Sequence, residues 1–316
     1  MLDPDAATRA NQRAILFVLG ASASFTIAAA LVKAVADRIP TVEIMLFRSL
    51  FALAVLLPMI PKRGLIDALR TRHPWGHAIR VVTGFGSMYS SFYGYARLPL
   101  ALVTALGFAM PIFLTILSVP LLGERIGAGR AASVAAGLLG VLVVLRPWRA
   151  EGAVELGPAL IVVVGVGAWA LAMISIRRMG KAGERNLTIV LWFSMATTVL
   201  SALLCAPVWL TPRPIEWVAL ILVGLISGAA QLMMTEGYRN GEATLLAPFE
   251  YGAIVYTVVL GWAFWGEVPG LWESLGIGFI VVAGLITWSR ARRSPPAPIP
   301  PAPAALSRPP SAAPPR

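Results

Sequence analysis

Two side chains sit where their chemistry is out of place. Arg48 and Glu250 each lie inside a long apolar run, Arg48 within Val42-Glu43-Ile44-Met45-Leu46-Phe47-Arg48 and Glu250 within Ala243-Thr244-Leu245-Leu246-Ala247-Pro248-Phe249-Glu250-Tyr251. At a rise of 1.5 Å per residue, Glu250 is roughly 10 Å into its run and Arg48 about 9 Å into its own. An ionised group facing lipid at that depth costs several kcal/mol, so Glu250 must face an interior. Pro248, two residues earlier, removes a backbone donor and crowds the carbonyl of Thr244, which kinks the helix and bares a polar group to the same space. Glu250 is thus a candidate substrate or proton site; the competing reading is a carboxylate paired with a structural partner. Arginine stays charged in proteins, so Arg48 requires an anion, carbonyls or water. A substrate carboxylate would serve, and so would a fixed pair with Glu43 or Glu250. Glu43 lies nearer the interface, where water can reach it.

Aromatic and hydroxyl residues add a second set of candidates. Tyr89 and Tyr93 are four apart, hence on one helix face, and make a platform for a flat or cationic ligand, although aromatics near a helix end also anchor at interfaces. Ser22, Thr26 and Lys33 recur at helical spacing, and Ser22 and Thr26 also suit close helix packing. Trp169, well inside an apolar run, could stack on a substrate ring. His73 and His77 flank a basic loop and read as solvated or interfacial rather than as metal ligands. The single cysteine, Cys205, excludes an intramolecular disulfide and a cysteine-based metal site and reads as a small packed residue. No cofactor is implied.

The elements that must position these residues are membrane spans. The chain is 58% hydrophobic and 13% charged, whereas soluble domains carry about 25% charged residues. Its charges cluster between apolar stretches close to the ~20 residues that cross hydrocarbon. These stretches predict ten helices: Ala14 to Val35, Val42 to Ile60, His77 to Tyr95, Leu98 to Leu122, Gly127 to Leu145, Leu156 to Ile176, Leu187 to Leu210, Ile215 to Tyr238, Ala243 to Trp265, and Gly270 to Ser289. The first has the length of a span rather than of a signal-peptide core and should be retained. Nineteen Lys/Arg fall on the N-terminal side and six on the other, so both termini are expected in the cytoplasm of a bacterial inner membrane. The net charge of +11 is therefore topological rather than a sign of nucleic-acid binding. Residues 1–13 form a cytoplasmic tail, and the Pro/Ala-rich residues 290–316 have too few large apolar side chains to fold.

An internal repeat organises the spans. At an offset of 143 residues, Gly94-Tyr95 falls on Gly237-Tyr238 and Gly123-Glu124 on Gly266-Glu267, and each half has a proline-broken small-residue helix, at Pro111 and Pro248. Each repeat, 14–146 and 156–289, holds five helices. An odd number inverts the second copy, giving a pseudo-two-fold axis in the membrane plane, as in transporters. The same offset places Tyr89 and Tyr93 opposite Leu232 and Glu236, so both faces are expected to line a cavity, and it sets Trp169 opposite Thr26. Glu124 and Glu267 are expected to bond backbone donors of the helices that follow them. No catalytic cluster, HExxH, P-loop or nucleophile elbow supports a membrane-embedded enzyme, and without a nucleotide motif any energy must come from gradients or exchange.

The paired five-helix repeats, the Gly-Glu closing the fourth and ninth helices, and Phe47-Arg48 resemble the EamA family of the drug/metabolite transporter superfamily. The segment from Val42 through Arg48 to Leu56-Leu57-Pro58, with that around Glu250, looks most like its S-adenosylmethionine uptake branch. The resemblance implies an all-α basket of ten helices around a central cavity, carrying a small-molecule metabolite through the lipid bilayer by alternating access, with a homodimer compatible. Amino-acid, riboflavin and general metabolite carriers share this scaffold. Candidate substrate-binding residues are Arg48, Glu250, Tyr89, Tyr93, Trp169, Glu236 and Thr26.

Overall fold

The computed structural model describes residues 4–60, 64–122, 135–136, 138–143, 155–240 and 252–293, which are helical with no strand among them. In chain order the helices are α1 (Pro4–Ala36), α2 (Thr41–Leu56), α3 (Leu65–Leu69), α4 (Pro74–Arg97), α5 (Leu100–Gly107), α6 (Met110–Leu122), α7 (Leu156–Lys181), α8 (Asn186–Cys205), α9 (Pro214–Asn240), α10 (Gly252–Trp265) and α11 (Leu271–Arg293). Among the described residues five stretches, Gln12–Ala36, Thr41–Met59, Leu156–Gly180, Leu187–Val208 and Pro214–Met234, are long and apolar enough to cross a membrane. Helices satisfy their own backbone polar groups, and Leu16, Val164, Leu203 and Ile215 leave large apolar side chains exposed on them, as a lipid solvent favours. This is a multi-pass membrane protein.

Several elements depart from the sequence expectation. The expected N-terminal tail is helical from Pro4, because proline suits the first helical position and Ala6, Ala7, Arg9 and Ala10 are strong helix formers. The expected fourth span is broken into α5 and α6 by a turn at Phe108 and Ala109, where Phe108 N–H donates to the Thr104 and Ala105 carbonyls and Ala109 N–H to the Leu106 carbonyl. Pro111 stands in the first turn of α6, where a missing N–H costs least. Short α3 docks on the start of α8, with Thr188 Oγ1 and Trp192 Nε1 each donating at 2.8 Å to the carbonyls of Ala68 and Leu69. Most of the expected fifth span, the start of the ninth, and the Pro/Ala tail lie outside the described residues.

Packing carries the repeat into three dimensions. Among the described residues the two most extensive pairings are α1 with α9 and α4 with α7. Under the 143-residue offset α1 corresponds to α7 and α9 to α4, so these are one pairing made twice. The contact of α2 with α9 likewise has its counterpart in α8 with α4. Small residues permit the approach: a Cβ on Gly165 would stand 2.3 Å from Ser90 Cβ, and one on Gly224 2.4 Å from Phe51 Cβ. Below, the near end of the bundle is the one where α1, α4 and α8 begin, and the far end is the one where α1 and α4 finish.

Candidate functional site

Among the described residues, two arginines lie well inside the helices. Arg48 lies seven residues into α2, ~10 Å from the far end, and Arg80 six residues into α4, ~9 Å from the near end. The Arg80 guanidinium lies 3.9 Å from the ring centroid of Phe193 on α8, and a Cβ at Gly84 would stand 2.0 Å from its Nη1. Phe193 thus covers one face of the guanidinium, and the missing side chain of Gly84 provides its room. The Arg80 Nε is buried without a hydrogen-bond partner, and among the described residues neither arginine has an ion-pair partner. Arg80 did not stand out in the sequence, because it is close enough to the basic loop to pass as cytoplasmic. Its place six residues inside an apolar helix was the signal.

Trp169 belongs to the same interior. On α7 it is seven residues from Val162, three from Val166 and four from Gly165, all three on the protein-facing side and buried, yet it is 41% exposed. Its exposed ring therefore opens into the space between helices rather than to lipid. The antiparallel register of α4 and α7, set by Ser175 Oγ donating to the Gly76 carbonyl at 2.9 Å and by Gly165 against Ser90, brings Trp169 to the height of Gly84. Thr26 behaves differently: it is buried and donates its hydroxyl to the Ser22 carbonyl at 2.9 Å, so that donor is used within its own helix.

Tyr89 and Tyr93 share one face, as their spacing predicts, with ring centroids 6.1 Å apart and 19° between planes. They line a groove of about 690 Å³ at the far end, together with Arg38, Thr41, Arg97 and Val208. The Arg97 guanidinium stands 4.6 Å over the Tyr93 ring. Leu232, the counterpart of Tyr89 in the repeat, packs against a separate cluster of Leu56, Ala68 and Leu191. Inversion explains this, since equivalent residues occupy opposite ends.

Three expectations are corrected. Glu43 is not wet: it is fully buried, and its Oε2 accepts the Leu210 N–H at 3.1 Å, which ties α2 to the connection that follows α8. His77 is buried rather than solvated, with its ring 5.6 Å from that of Trp192 and its Nε2 4.0 Å from Glu184 Oε2. Glu267 bonds the backbone of α5 rather than of the helix after it, accepting the Leu100 N–H at 2.9 Å. Proximity in space outranks proximity in sequence here because α5 offers an unsatisfied N-terminal donor beside α10. Cys205 is buried, as expected. Glu250, Pro248 and Glu124 lie outside the described residues, as does the side chain of Glu236 near the end of α9.

The arrangement offers an aromatic groove at one end, a charged interior, and helix pairs repeated by symmetry. The chain is 30% identical to a riboflavin transporter of Rhizobium johnstonii over 237 residues, 74% of this chain and 76% of the relative. It is 29% identical to a pseudopaline exporter of Pseudomonas aeruginosa, over 88% of this chain and 96% of the relative. With an S-adenosylmethionine uptake transporter of Rickettsia bellii it shares 28% identity, over 80% and 85%. Its fold matches a crystal structure at a TM-score of 0.61 and 23% identity, over 89% of this chain and 97% of that one. The family model of EamA-like transporters matches residues 12–146 and again 156–289, so this chain belongs to the EamA-like transporter family.

Proposed function

We propose that this protein is a secondary transporter of a small organic metabolite in the bacterial inner membrane, working by alternating access. Its ten spans form two inverted five-helix repeats, 14–146 and 156–289. The observation that carries this reading is the exchange of helix pairings under the 143-residue offset: α1 on α9 and α7 on α4 are equivalent interfaces that can trade their open and closed forms. The near end is cytoplasmic. With Arg80 counted inside the membrane, eighteen Lys/Arg still fall on that side against six on the other. Both termini, including the tail of residues 290–316, then lie in the cytoplasm.

S-adenosylmethionine is the first substrate to test. It is supported by relatives named as its uptake transporters and by the Arg48 and Glu250 segments. Riboflavin is the second reading, favoured by the stacked Tyr89 and Tyr93, which suit a flat ring, and by the relative named for riboflavin. Labelled S-adenosylmethionine uptake into proteoliposomes, with excess riboflavin, amino acids and nucleosides as competitors, separates them. Saturable uptake resistant to riboflavin supports the first substrate. No uptake by folded protein rejects it, and a competitor that stabilises the protein replaces it.

A further inference from the structure

We propose that the segment from α3 to the start of α4 is a docking surface for anionic phospholipid in the leaflet at the near end, with Leu65, Ile66 and Trp75 entering the acyl boundary and Arg70 and Arg72 engaging headgroup phosphates. The inference needs only a chain that crosses a bilayer and is independent of what the protein carries.

The height of this segment follows from its hydrogen bonds. Thr188 Oγ1 donates to the Ala68 carbonyl and Trp192 Nε1 to the Leu69 carbonyl, each at 2.8 Å. Both donors stand in the first two turns of α8, whose apolar stretch begins at Leu187. Helix α3 is therefore level with the edge of the hydrocarbon rather than out in water. The start of α4 is held at the same level, because the His77 ring lies 5.6 Å from that of Trp192. Between the two helices, Thr71 Oγ1 donates to Glu184 Oε2 at 2.7 Å and fixes the connection.

At this level the segment is amphipathic. It turns Ala68 into the protein and leaves Ile66 88% and Trp75 82% exposed, with Leu65 also exposed. Large apolar side chains and a tryptophan at the membrane boundary are what acyl chains and glycerol backbones accept. From Ile60 to Pro74 the sequence carries the cations Lys62, Arg63, Arg70 and Arg72 against a single carboxylate, Asp67, and that carboxylate is engaged by Arg185 at 3.3 Å. Arg70 and Arg72 are exposed, and among the described residues neither forms an ion pair. Cations flanking an apolar face at the boundary complement a headgroup of net negative charge, and a zwitterionic headgroup offers them less. Because α3 belongs to the first repeat and α8 to the second, a lipid bound here braces a contact between the repeats.

The test titrates dioleoylphosphatidylglycerol, dioleoylphosphatidylcholine or inorganic phosphate into the purified full chain in detergent while thermal unfolding is followed. Phosphatidylglycerol should raise the midpoint, and phosphatidylcholine and phosphate at matched concentrations should not. Arg70→Gln and Arg72→Gln should each raise the half-saturating concentration of phosphatidylglycerol about five-fold, the weight of one cation near an anionic surface. Ile66→Ser should raise it about ten-fold through lost apolar burial. Arg213→Gln, at the far end, should leave it unchanged. In nanodiscs, lipid brominated close to the headgroup end of its chains should quench the wild type more than Trp75→Phe, a readout that stands even if an arginine variant fails to fold. The proposal is overturned by equal stabilisation from phosphatidylcholine, by stabilisation from phosphate alone, by an Arg213→Gln effect as large as that of Arg70→Gln, or by quenching that Trp75→Phe leaves unchanged, as it would if Trp75 stood in water or met a protein partner. Failure of the transporter reading looks different: the lipid effects persist, but no solute is taken up by proteoliposomes.

Discussion

Lys33 Nζ lies 2.9 Å from Glu267 Oε1, an ion pair that ties the end of α1 in the first repeat to the residue pair after α10 in the second. The same lysine donates to the Leu98 carbonyl at 2.8 Å, and the other oxygen of Glu267 receives the Leu100 N–H. One cluster therefore closes the far end across three segments. Glu267→Ala should lower stability by ~1–3 kcal/mol by leaving Lys33 without its counter-charge and the α5 donor without an acceptor. Glu267→Gln, which can still accept from Leu100, should lose less. Thermal unfolding in detergent reads both, and equal loss in the two variants would show that the α5 bond contributes nothing.

The close approach of α9 to α2 depends on Gly224 and Gly228, where added Cβ atoms would stand 2.4 Å from Phe51 Cβ and 2.9 Å from Val55 Cγ2. Gly224→Ala should destabilise by ~1–3 kcal/mol, the usual cost of overpacking. Because the clash includes the carbonyls of Phe47 and Arg48, the backbone must shift, and substrate affinity should fall along with stability. A stable variant with normal uptake would refute this account of the interface.

Trp169 faces the interior with an exposed ring, so Trp169→Ala should raise KM about ten-fold, as expected for a lost aromatic stacking partner worth ~1–2 kcal/mol. Trp169→Phe should recover most of it. Thr26→Val, which removes a hydroxyl already bonded to Ser22, should leave KM within about two-fold. The reverse order of effects would move the site to α1.

If the Tyr89 and Tyr93 groove is the outward vestibule, Tyr89→Ala with Tyr93→Ala should weaken substrate captured from the far side only. Inside-out and right-side-out vesicles separate the two directions. A KM that rises equally in both orientations argues for a shared central role instead.

Proton coupling through Glu250 makes a pH prediction. Glu250→Gln cannot exchange a proton, so uptake that varies with pH in the wild type should become flat in the variant while exchange of preloaded solute persists. Full, still pH-dependent uptake in Glu250→Gln would remove that carboxyl from the coupling step.

The sequence alone was enough for the all-helical membrane character, the two repeats and the family, because the need to bury backbone polarity and to match hydrocarbon thickness acts on long windows of composition. It was also enough for the shared face of Tyr89 and Tyr93, since helical periodicity is local. Tertiary structure alone decided which side chains meet. Arg80 on Phe193 joins α4 to α8 across 113 positions of chain, Lys33 on Glu267 joins α1 to the residue pair after α10, and Glu43 reaches the connection after α8. Such pairings depend on crossing geometry and register between helices, which side-chain packing fixes only once both helices are in place. For the same reason depth in the membrane was readable for Arg48 but ambiguous for Arg80, whose position near a basic loop concealed that its helix begins at Pro74.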